Sequence, residues 1–355
     1  MTTFTEGSGN LLAADVDALV NTVNTVGVMG KGIALQFKRA YPEMFRAYER
    51  ACRDGDVQLG QMFVFDAGQL VRPRWIINFP TKKHWRSRSK LSDIAAGLDE
   101  LRRTIEKLDL SSIAVPPLGC GNGGLDWSDV GPLILEKLDG VDAEVRVFAP
   151  AGPPAAAEMP VRTEPKPLTP PRAALVAMLD RYTEHALGAT LVEVQKLMYF
   201  LQEAGEPLQL RYEPNRYGPY ADNLRHVLVS LEGHQLSGFG DGSRPVQEAE
   251  PIEVRPGAAE DAEKVLLDSV ETTERMDRVL SLIEGYESPY GLELLATVHW
   301  AATHDEHGAT DDVETITERV QSWTDRKSRM FTSDHIAAAW SRLVDRGWVT
   351  QPAVV

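Results

Sequence analysis

Apolar residues in the first 150 positions alternate between short strand-like runs and longer stretches with helical spacing. The strand-like runs cover residues 18–22, 62–66, 75–79, 113–115 and 145–149. Between residues 94 and 108, apolar side chains recur every three or four positions, which predicts one buried face of a helix. The alternation predicts an α/β domain over residues 1–152, in which helices pack on a sheet.

A proline-dense segment follows this domain, because residues 153–171 contain seven prolines. Proline lacks an amide hydrogen and holds φ near one value, so we predict a semi-rigid, extended linker here. Beyond the linker, apolar side chains in 175–182 and 194–201 share helical faces. We therefore predict a mainly α C-terminal domain over residues 172–355.

The negative charge of the chain is concentrated in this second domain. The 355 residues carry a formal net charge of −15, and residues 1–155 contribute only −1 of it, with 18 basic and 19 acidic residues. The segment 248–277 is strongly acidic. A solvated acidic surface and a surface built to meet a basic partner, such as a nucleic-acid-binding protein, both explain this charge.

Several features indicate a cytoplasmic protein. Cys52 and Cys120 are far apart and show no metal-ligand spacing, so neither a disulfide framework nor a metal is expected. The chain has no run of about 18 apolar residues that could span a membrane. Its start has no basic segment followed by an apolar stretch, so we expect no secretory signal. No cofactor is expected either.

Two glycine-rich loops each follow a predicted strand, at residues 27–32 and 119–124. Glycine allows a close backbone approach, and exposed N–H groups in such loops bind phosphate. The first loop lacks the Ser or Thr of a Walker A motif and does not have the dinucleotide-binding spacing. One glycine loop is commonly a structural turn, whereas two in a small α/β domain favour a nucleotide diphosphate ligand.

Further motifs lie around these loops. Residues 9–12 read GNLL, 17–24 read DALVNTVN, and 116–124 read PPLGCGNGG, and these three motifs resemble those of macrodomains. With 30–38 (GKGIALQFK) and 77–86 (INFPTKKHWR), the resemblance is to the DarG-type antitoxins of the DarT–DarG toxin–antitoxin systems. It implies a three-layer α/β/α macrodomain with a mixed sheet, which hydrolyses the N-glycosidic bond of ADP-ribosylated thymidine in single-stranded DNA. The products would be free ADP-ribose and the restored base.

The resemblance carries over to named residues. Lys82 matches the proposed catalytic lysine, and Asn24 matches the asparagine that orients the distal ribose. The implied ADP-ribose-binding residues are Asn10, Leu11, Asn24, Val28, Met29, Gly30, Lys31, Gly32, Thr81, Leu118, Gly119, Cys120, Gly121 and Asn122. Two positions depart from relatives: Asn10 stands where many macrodomains have Asp, and Gly123 stands where terminal ADP-ribose glycohydrolases have a second catalytic acid.

The chemistry of Lys82 stays open at this point. A neutral amine could attack the anomeric carbon or act as a base, whereas the ammonium form could stabilise the departing base. A basic run with one aromatic residue follows it and predicts contact with a DNA backbone and a stacked base. The residues predicted to contact DNA are Lys83, His84, Trp85, Arg86 and Arg88. An exposed basic loop is the alternative.

The C-terminal domain also has family features. Residues 191–202 and 212–220 resemble Panacea-type antitoxin domains, and the family implies that this domain binds a DarT-like toxin. Its acidic face could mimic DNA in the toxin's binding cleft. Two other functions remain open: an ADP-ribose-binding module without catalysis, and a purely stoichiometric toxin inhibitor.

Overall fold

A computed structural model describes residues 2–68, 72–184 and 188–349, which form two compact units. Unit 1 comprises Met1–Glu164 together with the short segment Gly240–Arg244, and unit 2 comprises Pro165–Phe239 with Pro245–Val355. Residues 350–355 of the predicted C-terminal domain lie outside the described ranges. The predicted domain boundaries stay a prediction, and the sequence contains no sign that the segment 240–244 belongs with unit 1.

Unit 1 is built on a six-stranded sheet. Its strands are β1 (Thr3–Gly7), β2 (Ala18–Asn24), β3 (Phe63–Asp66), β4 (Trp75–Lys82), β5 (Ser112–Val115) and β6 (Glu144–Phe148). They lie in the order β1-β6-β5-β2-β4-β3. Neighbouring strands are parallel except β3 and β4, which are antiparallel. The expected mixed sheet is confirmed.

Helices cover both faces of this sheet. They are α1 (Gly32–Ala40), α2 (Pro42–Asp54), α3 (Leu91–Lys107) and α4 (Trp127–Leu138). Because side chains alternate along a strand, Val20 and Ile77 pack in the core with α3 and α4. Their neighbours Leu19 and Ile76 pack in the core with α1 and α2. The three-layer α/β/α macrodomain fold is therefore confirmed.

The proline-dense segment differs from the predicted extended linker at both of its ends. Residues 153–164 pack in unit 1: the Arg162 backbone N–H donates to the Arg39 carbonyl at 2.9 Å, and Met159 is buried. At the other end, a helix begins at Pro170, inside the predicted linker. Proline is favourable there because the first helical N–H has no partner within the helix.

Unit 2 is mainly helical, as predicted. Its helices are α5 (Pro170–Thr183), α6 (Leu191–Glu203), α7 (Leu224–Leu231), α8 (Ala258–Leu266), α9 (Val270–Ile283), α10 (Pro289–Thr303), α11 (Val313–Ser322), α12 (Asp325–Met330) and α13 (Ser333–Asp345). Two short antiparallel pairs join β7 (Tyr212–Asn215) to β8 (Gly218–Ala221) and β9 (Leu236–Ser237) to β10 (Glu253–Val254). Helix α10 is buried from Gly291 to Ala302 and packs against α6, α11 and α13. None of the described helices is long and apolar enough to cross a membrane.

Candidate active site

The carboxyl ends of three neighbouring parallel strands form the candidate site. Strand β2 ends at Asn24 and leads to the first glycine loop, β4 ends at Lys82, and β5 leads to the second glycine loop. Ligands commonly bind at this edge of an α/β sheet, because the loops that follow parallel strands gather there. The structure thus brings together the loops and the lysine that the sequence singled out.

A bulge places Asn24 opposite Lys82. Along β2 and β4, Val23 pairs with Pro80, and the next pair is Asn24 with Lys82, so Thr81 has no partner residue in the register. The Thr81 hydroxyl donates to the Val23 carbonyl at 3.3 Å. Bulges of this kind redirect side chains beside active sites. The two proposed catalytic residues are neighbours as a result.

Lys82 is buried among polar backbone groups. Its Nζ donates to the Asn122 carbonyl of the second loop at 2.7 Å, and its side chain contacts little solvent. Burial lowers the pKa of Lys82 below the usual 10.5, because desolvation disfavours the ammonium form. The amino group is therefore held at the mouth of the second loop and gives up its proton more readily than a surface lysine.

Asn24 organises the first loop in this conformation. Its Nδ2 donates to the Val28 carbonyl at 2.6 Å, and its Oδ1 accepts from the Val26 and Val28 backbone N–H groups at 3.0 and 3.3 Å. The buried Tyr48 hydroxyl donates to the Asn24 carbonyl. Tyr48 was not singled out from the sequence, where it reads as one apolar position of α2.

The two glycine loops approach each other closely. Gly32 has a φ of +64°, and a Cβ added there would lie 3.4 Å from the Asn122 side-chain nitrogen. Met29 and Leu118 are buried beneath the loops, whereas Val28 is 41% exposed. Burial raises the pKa of Cys120 to about 11, so its thiol is protonated near neutral pH.

A residue from far along the chain completes the first loop. The Gly32 backbone N–H donates to the carbonyl of Asp241 at 3.3 Å, and Gln36 Nε2 donates to the Asp241 carboxylate at 2.6 Å. Asp241 is buried. The contact joins positions about 200 residues apart in sequence, so no local pattern could have revealed it.

Asn10 forms hydrogen bonds with its own loop and with the segment after β6. Its Oδ1 accepts from the Leu12 backbone N–H at 2.9 Å, and its Nδ2 donates to the Glu158 carbonyl at 2.7 Å. The side chain therefore caps the short 3-10 helix Leu11–Ala13 and holds the segment after β6. Leu11 is buried beside it.

The second glycine loop has Gly123 where terminal ADP-ribose glycohydrolases have a catalytic acid, and the reason is steric. A Cβ on Gly123 would lie 2.3 Å from the Gly119 carbonyl oxygen and 2.4 Å from Ser89 Oγ. The Gly123 carbonyl accepts from the Ser89 N–H at 3.0 Å, which fixes this close approach. An aspartate at this position is incompatible with the observed loop, so Lys82 has no second acid there.

We expect Gly123→Ala to destabilise unit 1, because its Cβ would displace a backbone atom of the same loop. Overpacking of this kind costs about 1–3 kcal/mol in free energy of unfolding. Gly121→Ala is the matched control, since a Cβ there has no atom within 4 Å. Urea denaturation of both full-length variants measures the difference. Equal stabilities of the two variants would contradict the steric explanation.

The predicted DNA-contacting residues form an exposed turn directly after Lys82. Lys83, His84, Trp85, Arg86 and Arg88 are all exposed. The Arg86 guanidinium lies 4.4 Å from the Trp85 ring centroid, and the Trp85 indole is 45% exposed. The turn thus presents cationic groups and an aromatic face to solvent at the rim of the site.

Comparison with known proteins gives the family. The Macro domain family matches residues 20–134. The chain is 48% identical over 343 residues to a DNA ADP-ribosyl glycohydrolase of Thermus aquaticus, covering 96% of this chain and 92% of that protein. It is 46% identical over 353 residues to a DNA ADP-ribosyl glycohydrolase of Mycobacterium tuberculosis, covering 96% and 99%. A DNA ADP-ribosyl transferase–DNA ADP-ribosyl glycohydrolase fusion protein of Thermosipho africanus is 34% identical over 157 residues, covering 40% of each chain.

The similarity to the first two relatives extends beyond the macrodomain, because it covers 96% of this chain. The helical unit is therefore part of the shared architecture. The chain belongs to the DNA ADP-ribosyl glycohydrolase family and is a macrodomain hydrolase.

Proposed function

We propose that this chain removes ADP-ribose from thymidine in single-stranded DNA, and that unit 2 neutralises the transferase that attaches it. The observation that carries the first half is the buried Lys82 amino group, 2.7 Å from the Asn122 carbonyl and opposite Asn24. It lies where two glycine loops meet. The names of the two full-length relatives support a DNA-linked substrate.

The glycine loops are the proposed diphosphate site. Gly30 and Lys31 before α1, and Gly119 to Asn122 after β5, would line the same space. Gly32 would contribute a close backbone approach rather than its N–H, which already donates to the Asp241 carbonyl. Val28 and Met29 would contact the ribose that carries the scissile bond. Asn10 and Leu11 would contact the adenine at the other end of ADP-ribose.

Hydrolysis breaks the bond between the anomeric carbon and the base nitrogen. Water supplies the hydroxyl group to the carbon, and the remaining proton of that water goes to the base nitrogen. We assign Lys82 in its ammonium form to the departing base, where it donates a hydrogen bond to a carbonyl oxygen of thymine as negative charge develops. Desolvation strengthens this interaction, because the effective dielectric is lower in a buried site. Asn24 holds the loop against which the ribose would lie.

The exposed turn after Lys82 is the proposed DNA-binding surface. Arg86 and Arg88 would pair with phosphates, and the Trp85 ring would stack on a base next to the target. Single-stranded substrate needs no unpairing before the modified base enters the site.

The proposal is tested by incubating the full-length protein with a single-stranded oligonucleotide that carries ADP-ribose on one thymidine. Release of free ADP-ribose and recovery of the unmodified oligonucleotide are expected. Binding of the oligonucleotide without release of ADP-ribose would make the chain a reader of the modification instead.

Unit 2 carries the proposed transferase-binding surface on α8, on α9 and on the turn between them. The exposed carboxylates there are Glu260, Asp261, Glu263, Asp268, Glu271, Glu274 and Asp277. Among them lie two highly exposed apolar side chains, Leu267 at 75% and Val270 at 66%. A DNA-binding cleft on a partner is basic, so an acidic face with an apolar centre is complementary to it. The Thermosipho relative, whose name joins a transferase to a glycohydrolase in one chain, supports such a partner.

We expect Leu267→Asp to weaken binding of a DNA ADP-ribosyltransferase about 30-fold, because an interface hot spot contributes about 2 kcal/mol. Leu135→Asp is the control, since Leu135 is an exposed leucine of unit 1. Calorimetric titration of each full-length variant with the purified transferase measures the affinity. Unchanged binding in Leu267→Asp would place the interface elsewhere.

A further inference from the structure

A cluster of metal-ligating side chains lies between α6 and α10 in unit 2, away from any residue assigned above. Glu203 ends α6, His299 lies in the last turns of α10, and His304 follows directly after that helix. One donor atom of each residue lies within 4.8 Å of the other two. The two helices pack against each other, so the fold itself brings the three side chains together.

The hydrogen bonds around His304 leave one of its nitrogens facing the carboxylate. The Thr303 hydroxyl donates to the His299 carbonyl at 2.6 Å, so its lone pair accepts from His304 Nδ1–H at 2.6 Å. In the neutral ring, Nε2 then carries no hydrogen. This nitrogen lies 3.4 Å from Glu203 Oε1.

In this state two acceptor atoms face each other, and either a proton or a metal ion between them makes the contact favourable. The separation matches a metal: two ligand atoms at about 2.0–2.1 Å from zinc, in tetrahedral geometry, lie about 3.4 Å apart. Two imidazoles and one carboxylate are a zinc ligand set in proteins. The buried His299 is the third residue of the cluster, and its ring also hydrogen-bonds to the Trp348 backbone. Its Nδ1 lies 2.7 Å from the Tyr199 hydroxyl and would exchange this hydrogen bond for the metal.

The surroundings suit a closed metal site with one accessible side. The His304 ring stacks on Trp300 with ring centroids 4.7 Å apart, and Tyr199 and Phe200 line the interior. The Glu203 side chain is 23% exposed and that of His304 is 36% exposed, so an ion can enter from solvent. An oriented second nitrogen, as Thr303 provides for His304, is the usual support of a metal-bound histidine.

We propose that Glu203, His299 and His304 bind one zinc ion that joins the end of α6 to the end of α10. Water from the exposed side completes the tetrahedron. The role is structural, because the ion links two helices of the core of unit 2. The spacing of these residues, with the glutamate almost 100 positions before the histidines, follows no sequence motif for a metal site.

The test uses the full-length, tag-free protein after treatment with a chelator. Calorimetric titration with zinc is expected to show one site per chain, and cobalt is expected to give the visible absorption of a tetrahedral complex. Zinc is also expected to raise the melting temperature. Magnesium and calcium, which prefer oxygen ligands, are expected to bind far more weakly. Failure of zinc to bind, or an octahedral cobalt spectrum, would overturn the proposal.

Variants of the proposed ligands distinguish zinc binding at this site from nonspecific zinc binding at the protein surface. His304→Ala and Glu203→Gln are expected to abolish the cobalt absorption, and Thr303→Val to weaken zinc binding about 10–100-fold. His335→Ala is the control, because His335 lies outside the cluster. Its Nδ1 lies 2.6 Å from the Tyr290 hydroxyl, as that of His299 lies close to the Tyr199 hydroxyl. Circular dichroism of the metal-free variants checks their fold. Wild-type binding in both His304→Ala and Glu203→Gln would refute the assignment.

Discussion

Lys82→Ala is expected to lower the rate of ADP-ribose release about 10²–10⁴-fold, the range that a positioned acid or base contributes. The buried Nζ of Lys82 is the cation next to the proposed departing base, and alanine leaves nothing in its place. Single-turnover assays on the modified oligonucleotide measure the loss. Lys107→Ala is the control, because Lys107 is an exposed lysine at the end of α3, outside the proposed site and the proposed DNA-binding turn. Full activity of Lys82→Ala would remove Lys82 from the mechanism.

The pH profile tests the protonation state assigned to Lys82. Since burial lowers its pKa below 10.5, the ammonium form is lost at a lower pH than in a surface lysine. The rate is therefore expected to fall as the pH rises through this lowered pKa. Lys82→Arg stays cationic, so its residual activity should not show that fall. A rate that rises with pH, or a lysine adduct trapped by borohydride, would indicate a nucleophilic amine instead.

Glu293→Gln is expected to destabilise unit 2 by about 3–5 kcal/mol, because it breaks a buried ion-pair network from one side. Glu293 accepts from Lys327 Nζ at 2.6 Å and from both terminal nitrogens of Arg326 at 2.7 and 3.0 Å. Burial tends to raise the pKa of Glu293, but the hydrogen bonds from Arg326 and the charge of Lys327 hold it below the usual range. Without this carboxylate, the cationic groups lose their counter-ion.

A second buried lysine adds to the expected loss of stability in Glu293→Gln. Lys196 is fully buried, with its Nζ 2.6 Å from the Pro219 carbonyl, and burial together with the charge of Lys327 lowers its pKa to about 7. Urea denaturation measures the loss in Glu293→Gln. The control is Glu271→Gln, which removes an exposed carboxylate paired with Arg275 at 2.9 Å and should change stability little. A similarly small effect in both variants would contradict the role of the network.

The sequence predicted the features of this protein that depend on local pattern. Alternating strand and helix periods indicated the α/β unit, and the helical periods after the prolines indicated the α unit. Two glycine loops after strands indicated a phosphate-binding edge of the sheet, and the resemblance to macrodomains indicated Lys82 beside them. The two units could be predicted because hydrophobic periods and turn residues are each encoded within a few neighbouring positions.

Tertiary structure decided what depends on residues far apart in sequence. The β2–β4 bulge that sets Asn24 against Lys82, and the Asp241 carbonyl on the Gly32 N–H, arise from pairing and packing between distant segments. The crowding at Gly123, which leaves no room for a second acid, became visible only with the loop folded. Such contacts lie beyond the reach of a sequence pattern, because register and packing are properties of the assembled core.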